Sequence, residues 1–240
     1  MNKVLVLGAS GATGQLLVEL LLQKGVEVIA VVRNSASLNR VDQAHPGLQI
    51  LERDINTMAE NELAEQIKEC DAVLSCLGHN LTFKGIFGQP RKLVTDAMKT
   101  VVGAMRANAT DRHFKIILMN TTGNCNQDIP EKPPFSQRFV VALLRCLVPP
   151  HLDNEQAADY LRVQLRHYSA IEWVAVRPDG LINEDSVSEY EIMESPVRNV
   201  IFDAGKTSRI NVADFMSDLA IKSELWNKWK GRMPVIYNKT

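Results

Sequence analysis

The sequence predicts one α/β domain built on a doubly wound parallel sheet that is flanked by helices. Short apolar, β-branched runs alternate with longer helical stretches along most of the 240 residues. The runs are nearly continuous in apolar residues, as in parallel strands that are covered on both faces. A glycine-rich turn directly follows the first run, and the repeated strand–helix–strand order implies right-handed crossovers.

The predicted strands, in chain order, are Val4–Leu7, Val26–Val32, Leu48–Leu51, Ala72–Ser75, Lys115–Met119 and Glu172–Val176. The predicted helices are Gln15–Lys24, Ala59–Lys68, Arg91–Ala107, Ser136–Leu147 and Asn154–Tyr168. Two stretches, 122–150 and 179–208, break this rhythm after predicted strands. Open α/β sheets bind ligands at the carboxyl ends of their strands, so we expect both stretches to be substrate-side elements of one domain covering residues 1–240.

Composition excludes several classes of function. The 45% hydrophobic and 23% charged fractions are those of a soluble globular protein. A net charge of −1 gives no electrostatic reason to expect a nucleic acid or a membrane surface as partner. The cysteines form no C-x-x-C pair and lie in apolar stretches, which predicts reduced, mostly buried thiols and a cytoplasmic location. They are Cys70, Cys76, Cys125 and Cys146.

Two other kinds of site find no support in the sequence. The five histidines form no zinc-binding pair, and no G-x-S-x-G elbow occurs, so neither a metal site nor a hydrolase triad is expected. His79 follows Gly78 at a strand end and could reach a bound ligand, although a lone histidine in a loop is more often solvated than catalytic. Trp226 and Trp229 indicate a buried core contact or a dimer contact, and we expect a monomer or homodimer.

The strongest local motif is a G-x-x-G-x-x-G turn between the first strand and the first helix. Glycine at position 8 permits a tight turn, and Gly11 lets the backbone approach a pyrophosphate. Gly14 allows the helix to pack closely on the strand, while the helix N-terminus offers N–H donors to an anion. The motif predicts a Rossmann-type dinucleotide site. Its candidate contacts are Gly8, Ser10, Gly11, Ala12, Thr13 and Gly14.

The end of the second strand favours one cofactor over the other. An NAD site usually has Asp or Glu about 20 residues after the glycines, where it binds the ribose 2′-hydroxyl. Here the strand ends in Arg33-Asn34. A guanidinium suits a 2′-phosphate, so NADP(H) is predicted in preference to NAD(H), with a solvated strand-end arginine as the alternative.

Several further short motifs follow one another along the chain. They are Asp54-Ile55, Leu77-Gly78, Met119–Gly123, Val174–Gly180 and Arg209–Asp214. Together with the glycine turn and Arg33, they make the chain resemble the atypical short-chain dehydrogenase/reductases. The resemblance covers nearly the whole chain and is greatest to the NAD(P)H-binding branch, which includes biliverdin-IXβ/flavin reductases and NmrA-like proteins.

The resemblance implies roles for the matching residues. Asp54 and Ile55 would lie against the adenine, with the carboxylate accepting from its exocyclic amine. Leu77 and Gly78 would pass beneath the adenine ribose and the pyrophosphate, and Pro178 would lie near the nicotinamide carboxamide.

The catalytic positions depart from the family pattern. Asn120-Thr121 stands where the family often has Ser-Ser, and Thr121 keeps a hydroxyl for a substrate carbonyl or the nicotinamide amide. Tyr160 is followed four residues later by Gln164, so the Tyr-x-x-x-Lys pair is missing. Where many atypical members keep a lone lysine, this chain has Glu155 or Gln156.

The resemblance implies an NADP(H)-dependent oxidoreductase that acts on a small carbonyl, quinone, flavin or tetrapyrrole-like acceptor. Without the Tyr-Lys pair, protonation would come from solvent, Thr121 or the substrate, which suits a flavin or tetrapyrrole better than a simple ketone. The alternative is a non-catalytic NADP(H) sensor that signals to a partner protein. A sugar-nucleotide epimerase or dehydratase also needs the missing pair and fits least well.

Overall fold

The computed structural model describes residues 2–79, 91–109, 112–131, 149–199 and 203–239. Its strands are β1 Lys3–Leu7, β2 Glu27–Val32, β3 Leu48–Glu52, β4 Ala72–Ser75, β5 Phe114–Met119, β6 Ile171–Pro178, β7 Gly180–Ile182, β8 Tyr190–Met193, β9 Lys206–Ser208 and β10 Val235–Asn238. Its α-helices are α1 Ala12–Gln23, α2 Glu60–Ile67, α3 Leu93–Asn108, α4 Pro149–Gln164, α5 Arg209–Ile221 and α6 Ser223–Trp229.

The central sheet has the strand order β3-β2-β1-β4-β5-β6-β10-β8. The strands from β3 to β10 pair in parallel, and β8 pairs with β10 in the antiparallel direction. A separate parallel pair joins β7 to β9. The order reverses between β1 and β4, which is where doubly wound sheets open a crevice for a ligand. The predicted fold class is therefore confirmed.

The core lies in two layers because each strand sends alternate side chains to opposite faces. Val4 and Val6 pack with α1, α5 and α6, whereas Leu5 and Leu7 pack with α2, α3 and α4. Burial on both faces explains why the strand sequences are almost continuously apolar. Trp226 and Trp229 are buried in the first layer, which agrees with the predicted core contact.

Some boundaries differ from the predicted ones. Helix α4 begins five residues before the expected Asn154, and Pro149 and Pro150 stand in its first turn, where the missing N–H of proline costs no hydrogen bond. The strands β7 to β10 have three or four residues each and were not predicted. Strands β8 and β9 lack a continuous apolar run, since they contain Glu191 and Lys206. The expected helix Ser136–Leu147 lies outside the described residues.

Cys70 and Cys76 are buried as predicted, and burial raises the pKa of each thiol to about 12. Cys125 is half-buried, and Cys146 lies outside the described residues. Within the described ranges, no helix combines the length and the apolar character needed to cross a membrane.

Candidate functional site

The glycine turn between β1 and α1 is shaped by its own backbone contacts. Gly8 has φ +72°, and a Cβ there would lie 2.7 Å from the carbonyl carbon of Cys76. A Cβ on Gly14 would lie 2.1 Å from the Gly8 carbonyl oxygen. Gly11 differs, because its φ of −73° is open to any residue and it lies exposed at the start of the helix. Of these three glycines, Gly8 is therefore the one that the turn requires for its positive φ.

The N-terminus of α1 is prepared for an anion. Gly11 is its N-cap residue, no side chain of the described residues caps this end, and the first turn carries no acidic residue. The unpaired N–H groups and the positive end of the helix dipole attract negative charge. A pyrophosphate placed at Gly11 would receive these donors.

A cavity of about 410 Å³ lies beside this turn. It extends along the carboxyl ends of β3, β2, β1 and β4. Its lining includes Leu7, Gly8, Ser10, Gly11, Val31, Val32, Arg33, Arg53, Asp54, Ile55, Asn56, Cys76, Leu77, Gly78, His79 and Leu93. The structure thus brings together eight of the predicted site residues, namely Gly8, Ser10, Gly11, Arg33, Asp54, Ile55, Leu77 and Gly78. We call it the dinucleotide pocket.

Other predicted site residues lie outside the lining of the dinucleotide pocket, as far as the described residues define it. They are Ala12, Thr13 and Gly14 on the first turn of α1, Asn120 and Thr121 after β5, and Pro178 at the end of β6. Sequence reasoning also missed lining residues. Arg53, Asn56, Cys76 and Leu93 belong to no motif that a single sequence displays, whereas His79 follows the predicted Leu77-Gly78 pair.

The β2 and β3 end of the pocket carries both signs of charge. The exposed Arg33 lies beside Arg53, whose Nε donates to Glu62 Oε1 at 3.0 Å. Glu52 Oε2 accepts from the Ser35 backbone N–H at 3.0 Å. Hydrogen bonds from Ser35 hold the pKa of the Glu52 carboxyl below its usual range. Two guanidinium groups therefore line the pocket where the adenine ribose is expected, and the carboxylates of Glu52 and Glu62 lie near them.

Asp54 forms a turn at the same end of the pocket. Its Oδ1 accepts from the backbone N–H of Asn56 at 3.0 Å and from Asn56 Nδ2 at 2.8 Å. Ile55 is buried. The predicted contact of the Asp54 carboxylate with the adenine amine stays a prediction.

His79 at the end of β4 is not solvated, so that expectation is wrong. Its Nε2 lies 2.9 Å from Asp153 Oδ2, and the two side chains are 5% and 1% exposed. Asp153 also accepts from the backbone N–H groups of Val94 at 2.8 Å and Thr95 at 3.0 Å. The buried carboxylate thus caps α3 and holds the histidine at the pocket.

Asn120 joins the end of β5 to helix α4. Its Nδ2 donates to the Asn154 carbonyl oxygen at 2.9 Å, and its Oδ1 accepts from the Thr121 N–H at 2.8 Å. Thr121 Oγ1 in turn accepts from the Gly123 N–H at 3.3 Å. Asn120 is therefore a buried connector, while Thr121 presents a half-buried hydroxyl.

The same part of α4 brings a second histidine to this strand end. A Cβ on Gly123 would lie 3.0 Å from His151 Cε1 and 3.7 Å from Thr121 Oγ1. His151 Nε2 lies 3.7 Å from Glu155 Oε1, one turn along the helix. Tyr160, two turns further, packs against the hydrophobic core. The first two turns of α4 thus contact the carboxyl ends of both β4 and β5.

A buried arginine organises the segment that follows β5. Arg177 is fully buried and forms a bidentate ion pair with Glu131, with 2.7 Å between Nη2 and Oε1. It also donates to the carbonyl oxygens of Asn124, Met233 and Glu194. One side chain on β6 therefore fixes the segments beside β5, β8 and β10.

A second cavity of about 360 Å³ lies between this segment and α4. It is lined by Asn124, Cys125, Gln127, Leu152, Glu155, Gln156, Ala158, Asp159, Arg162 and Met233. Glu155 and Gln156, which stand where the family keeps a lysine, thus face this cavity. It is more polar than apolar in residue type, and we call it the α4 cavity.

Three features define a Rossmann-type dinucleotide-binding protein. They are a crevice at the switch point of a doubly wound sheet, a turn with no room for side chains at Gly8 and Gly14, and a helix N-terminus that no described side chain caps. Comparison with known sequences gives the same class. Residues 8–222 match the model of the NAD(P)H-binding family, and the chain belongs to that family. The resemblance inferred from the sequence motifs is thereby confirmed.

Individual known proteins are similar to the chain over most of its length. An uncharacterized chloroplastic protein of Arabidopsis thaliana is 29% identical over 226 residues, which are 93% of this chain and 73% of that protein. A wide-type short-chain dehydrogenase/reductase from Veillonella parvula, solved with NADP, is 16% identical with a TM-score of 0.67, covering 99% of this chain and 94% of that one. ChuY, an anaerobillin reductase from Escherichia coli O157:H7, is 18% identical with a TM-score of 0.67, covering 99% and 97%.

Proposed function

We propose that this protein is an NADP(H)-dependent reductase that passes a hydride to a small carbonyl, quinone, flavin or tetrapyrrole-like acceptor. The observation that carries the proposal is the dinucleotide pocket, which runs from Arg33 past the glycine turn to His79. Membership of the NAD(P)H-binding family supports it.

The residues of the pocket fit the successive parts of a dinucleotide. Asp54 and Ile55 would hold the adenine, and the turn at Gly11 would hold the pyrophosphate. The nicotinamide would lie beyond Gly78, toward Thr121 and Pro178. The bound nicotinamide supplies the hydride, and the chain positions the acceptor and excludes water.

The preference for NADP(H) is supported by the arginines at the β2 and β3 end of the pocket. Arg33 is exposed and lies directly after β2, where it can approach a 2′-phosphate. Glu52 opposes this preference, since its carboxylate lies on the neighbouring strand end and Ser35 keeps it charged. Arg53 is paired with Glu62, so we infer that the preference rests on Arg33.

The class of acceptor is inferred from the missing Tyr-x-x-x-Lys pair, since Tyr160 is followed four residues later by Gln164. This tyrosine packs against the core, so it cannot protonate an alkoxide in the pocket. A conjugated acceptor spreads the incoming charge and needs a weaker acid than a ketone does. A reductase of the same fold, ChuY, is named for a tetrapyrrole-derived substrate, which supports this choice. We further propose a small-molecule substrate and a cytoplasmic monomer or homodimer.

The proposal is tested by a screen of NADPH oxidation against flavin mononucleotide, a quinone, biliverdin and a simple ketone. We expect turnover with at least one conjugated acceptor, and little with the ketone. Gly11→Val is the control, since it should bind no cofactor and show no turnover. If the wild type oxidises NADPH with none of these acceptors, the reductase proposal fails. A protease-cleavage pattern that then differs between NADPH and NADP⁺ would favour the sensor.

A further inference from the structure

The order of the strands places His79 on the nicotinamide side of the dinucleotide pocket. Strands β2 and β3, which carry Arg33 and Asp54, lie on one side of β1, and β4 lies on the other. A dinucleotide that crosses the glycine turn at the end of β1 therefore has its adenine over β2 and β3. Its other half must extend over β4, where His79 lines the pocket.

The hydrogen bonds around Asp153 assign the state of the His79 ring. An ionised carboxylate only accepts, and Asp153 already accepts from Val94 and Thr95 at the N-terminus of α3. The Nε2 atom of His79 must therefore carry a hydrogen and donate it to Asp153. This leaves Nδ1 as the ring atom available to a ligand in the pocket.

Asp153 also holds the His79 ring in one orientation, which a proton donor requires. Asp153 is 1% exposed, and its three donors fix the direction in which it holds the ring. A buried carboxylate that orients a histidine also stabilises its protonated form during proton transfer. The next residue, Asn154, binds Asn120 at the end of β5, so the same turn of α4 aligns both strand ends.

We propose that His79, oriented by Asp153, is the acid that protonates the reduced acceptor and replaces the absent Tyr-Lys pair. This inference rests on the proposed reductase function. One acceptor atom gains the hydride and its two electrons from NADPH, which becomes NADP⁺. The proton on His79 Nδ1 passes to the acceptor's heteroatom, leaving the ring neutral with its hydrogen on Nε2. Solvent then returns one proton to Nδ1.

The other charged groups near the pocket are less suited to this role. Arg33 and Arg53 lie at the adenine end and do not release protons, and Asp54 lies there too. His151 on α4 lies outside the described pocket lining but beside Gly123, near Thr121, so His151→Gln is made as a second variant and should keep its turnover. His79 is thus the acid that the fold brings to the nicotinamide side of the described pocket.

The kinetic test replaces His79 with Gln, whose amide keeps a donor toward Asp153. We expect kcat to fall about a hundredfold or more, the range of general acid catalysis, while the Kd for NADPH changes less than about twofold. Imidazole added to His79→Gly should restore part of the turnover, which a purely structural role would not allow. His167→Gln, on an exposed residue outside the pocket, is the control that should keep full turnover.

A second readout is independent of turnover. In nitrogen-15 NMR of the histidine side chains, His79 should show hydrogen on Nε2, and its Nδ1 signal should shift when NADP⁺ is added, unlike that of His167. Turnover retained in His79→Gln, or an Nδ1 signal unmoved by a cofactor that binds, overturns the inference. A wild type without turnover overturns the reductase proposal and the acid role together, and the NMR shift still reports whether His79 faces the cofactor.

Discussion

Three glycines of the same turn are needed for different physical reasons. Gly8 and Gly14 are required by the protein itself, since side chains there would collide with the backbone of Cys76 and of Gly8. At Gly11 the nearest heavy atom to an added Cβ is the Gly8 carbonyl oxygen at 3.2 Å, and the φ of −73° suits any residue. We therefore explain the glycine at position 11 by the pyrophosphate, which must approach the backbone there.

We propose that Arg33 is the residue that decides between the two nicotinamide cofactors. Replacing it with Ala should weaken NADPH binding about ten- to a hundredfold, because a charge-assisted contact contributes about 1.5–3 kcal/mol. NADH binding should hardly change, since NADH has no 2′-phosphate. Fluorescence titration of both cofactors measures this, with Arg40→Ala as control, an exposed arginine paired with Glu19. Equal losses for both cofactors would remove the 2′-phosphate assignment.

The Thr121 hydroxyl can be tested by the isosteric change Thr121→Val. If the hydroxyl donates to the developing negative charge or to the carboxamide of the nicotinamide, turnover should fall on the order of a hundredfold. The affinity for NADPH should stay the same. Thr100→Val is the control, on a half-buried residue of α3 whose hydroxyl donates to the Asp96 carbonyl oxygen. Undiminished turnover in Thr121→Val would remove this residue from the mechanism and leave the reductase function standing.

At the scale of elements, we propose that the segment after β5 and the first turns of α4 form the substrate side. Arg177 anchors the segment 123–131 by its ion pair with Glu131 and its hydrogen bond to the Asn124 carbonyl oxygen. Asp153 and Asn154 hold α4 against the ends of β4 and β5. These contacts give the α4 cavity fixed walls on both sides, and they involve residues from four different elements.

Removing the buried guanidinium should therefore be costly. Arg177→Met leaves the Glu131 carboxylate buried without its partner, and we expect a loss of about 3–5 kcal/mol in the free energy of unfolding. Urea denaturation measures this loss. Arg232→Met is the matched control, because Arg232 forms an exposed pair with Glu194 and should cost less than about 1 kcal/mol. Similar losses in both variants would contradict the central role of Arg177.

The elements that could be predicted are those whose pattern is local. Strands β1 to β6 and the glycine turn have their apolar runs and spacing within a few residues of one another. The pairs that complete the site are distant in the sequence. His79 and Asp153 are 74 residues apart, and Arg177 and Glu131 are 46 residues apart. No pattern in a single sequence reports such pairs, which is why His79 was expected to be solvated.

At the scale of the whole molecule, the sheet divides the site into two functional halves. The order β3-β2-β1-β4 arranges Arg33, the glycine turn and His79 along one crevice. Strands β5 and β6 then carry Thr121 and Pro178 on the side of His79. We propose that the half over β2 and β3 selects the cofactor and that the half over β4 to β6 binds the nicotinamide and the acceptor. The central claim is that one dinucleotide occupies this crevice across Gly11.

The most direct test of this claim is a calorimetric titration of NADPH into the wild type and into Gly11→Val. The φ of −73° is open to valine, and the Cβ, at 3.2 Å from the Gly8 carbonyl oxygen, needs the turn to shift by a few tenths of an ångström. We expect the variant to fold, which circular dichroism checks. Its branched side chain would occupy the position that the pyrophosphate needs. We expect one NADPH bound per wild-type chain and no measurable binding to the folded variant. Equal affinity for both proteins, or no binding to the wild type, would contradict the account.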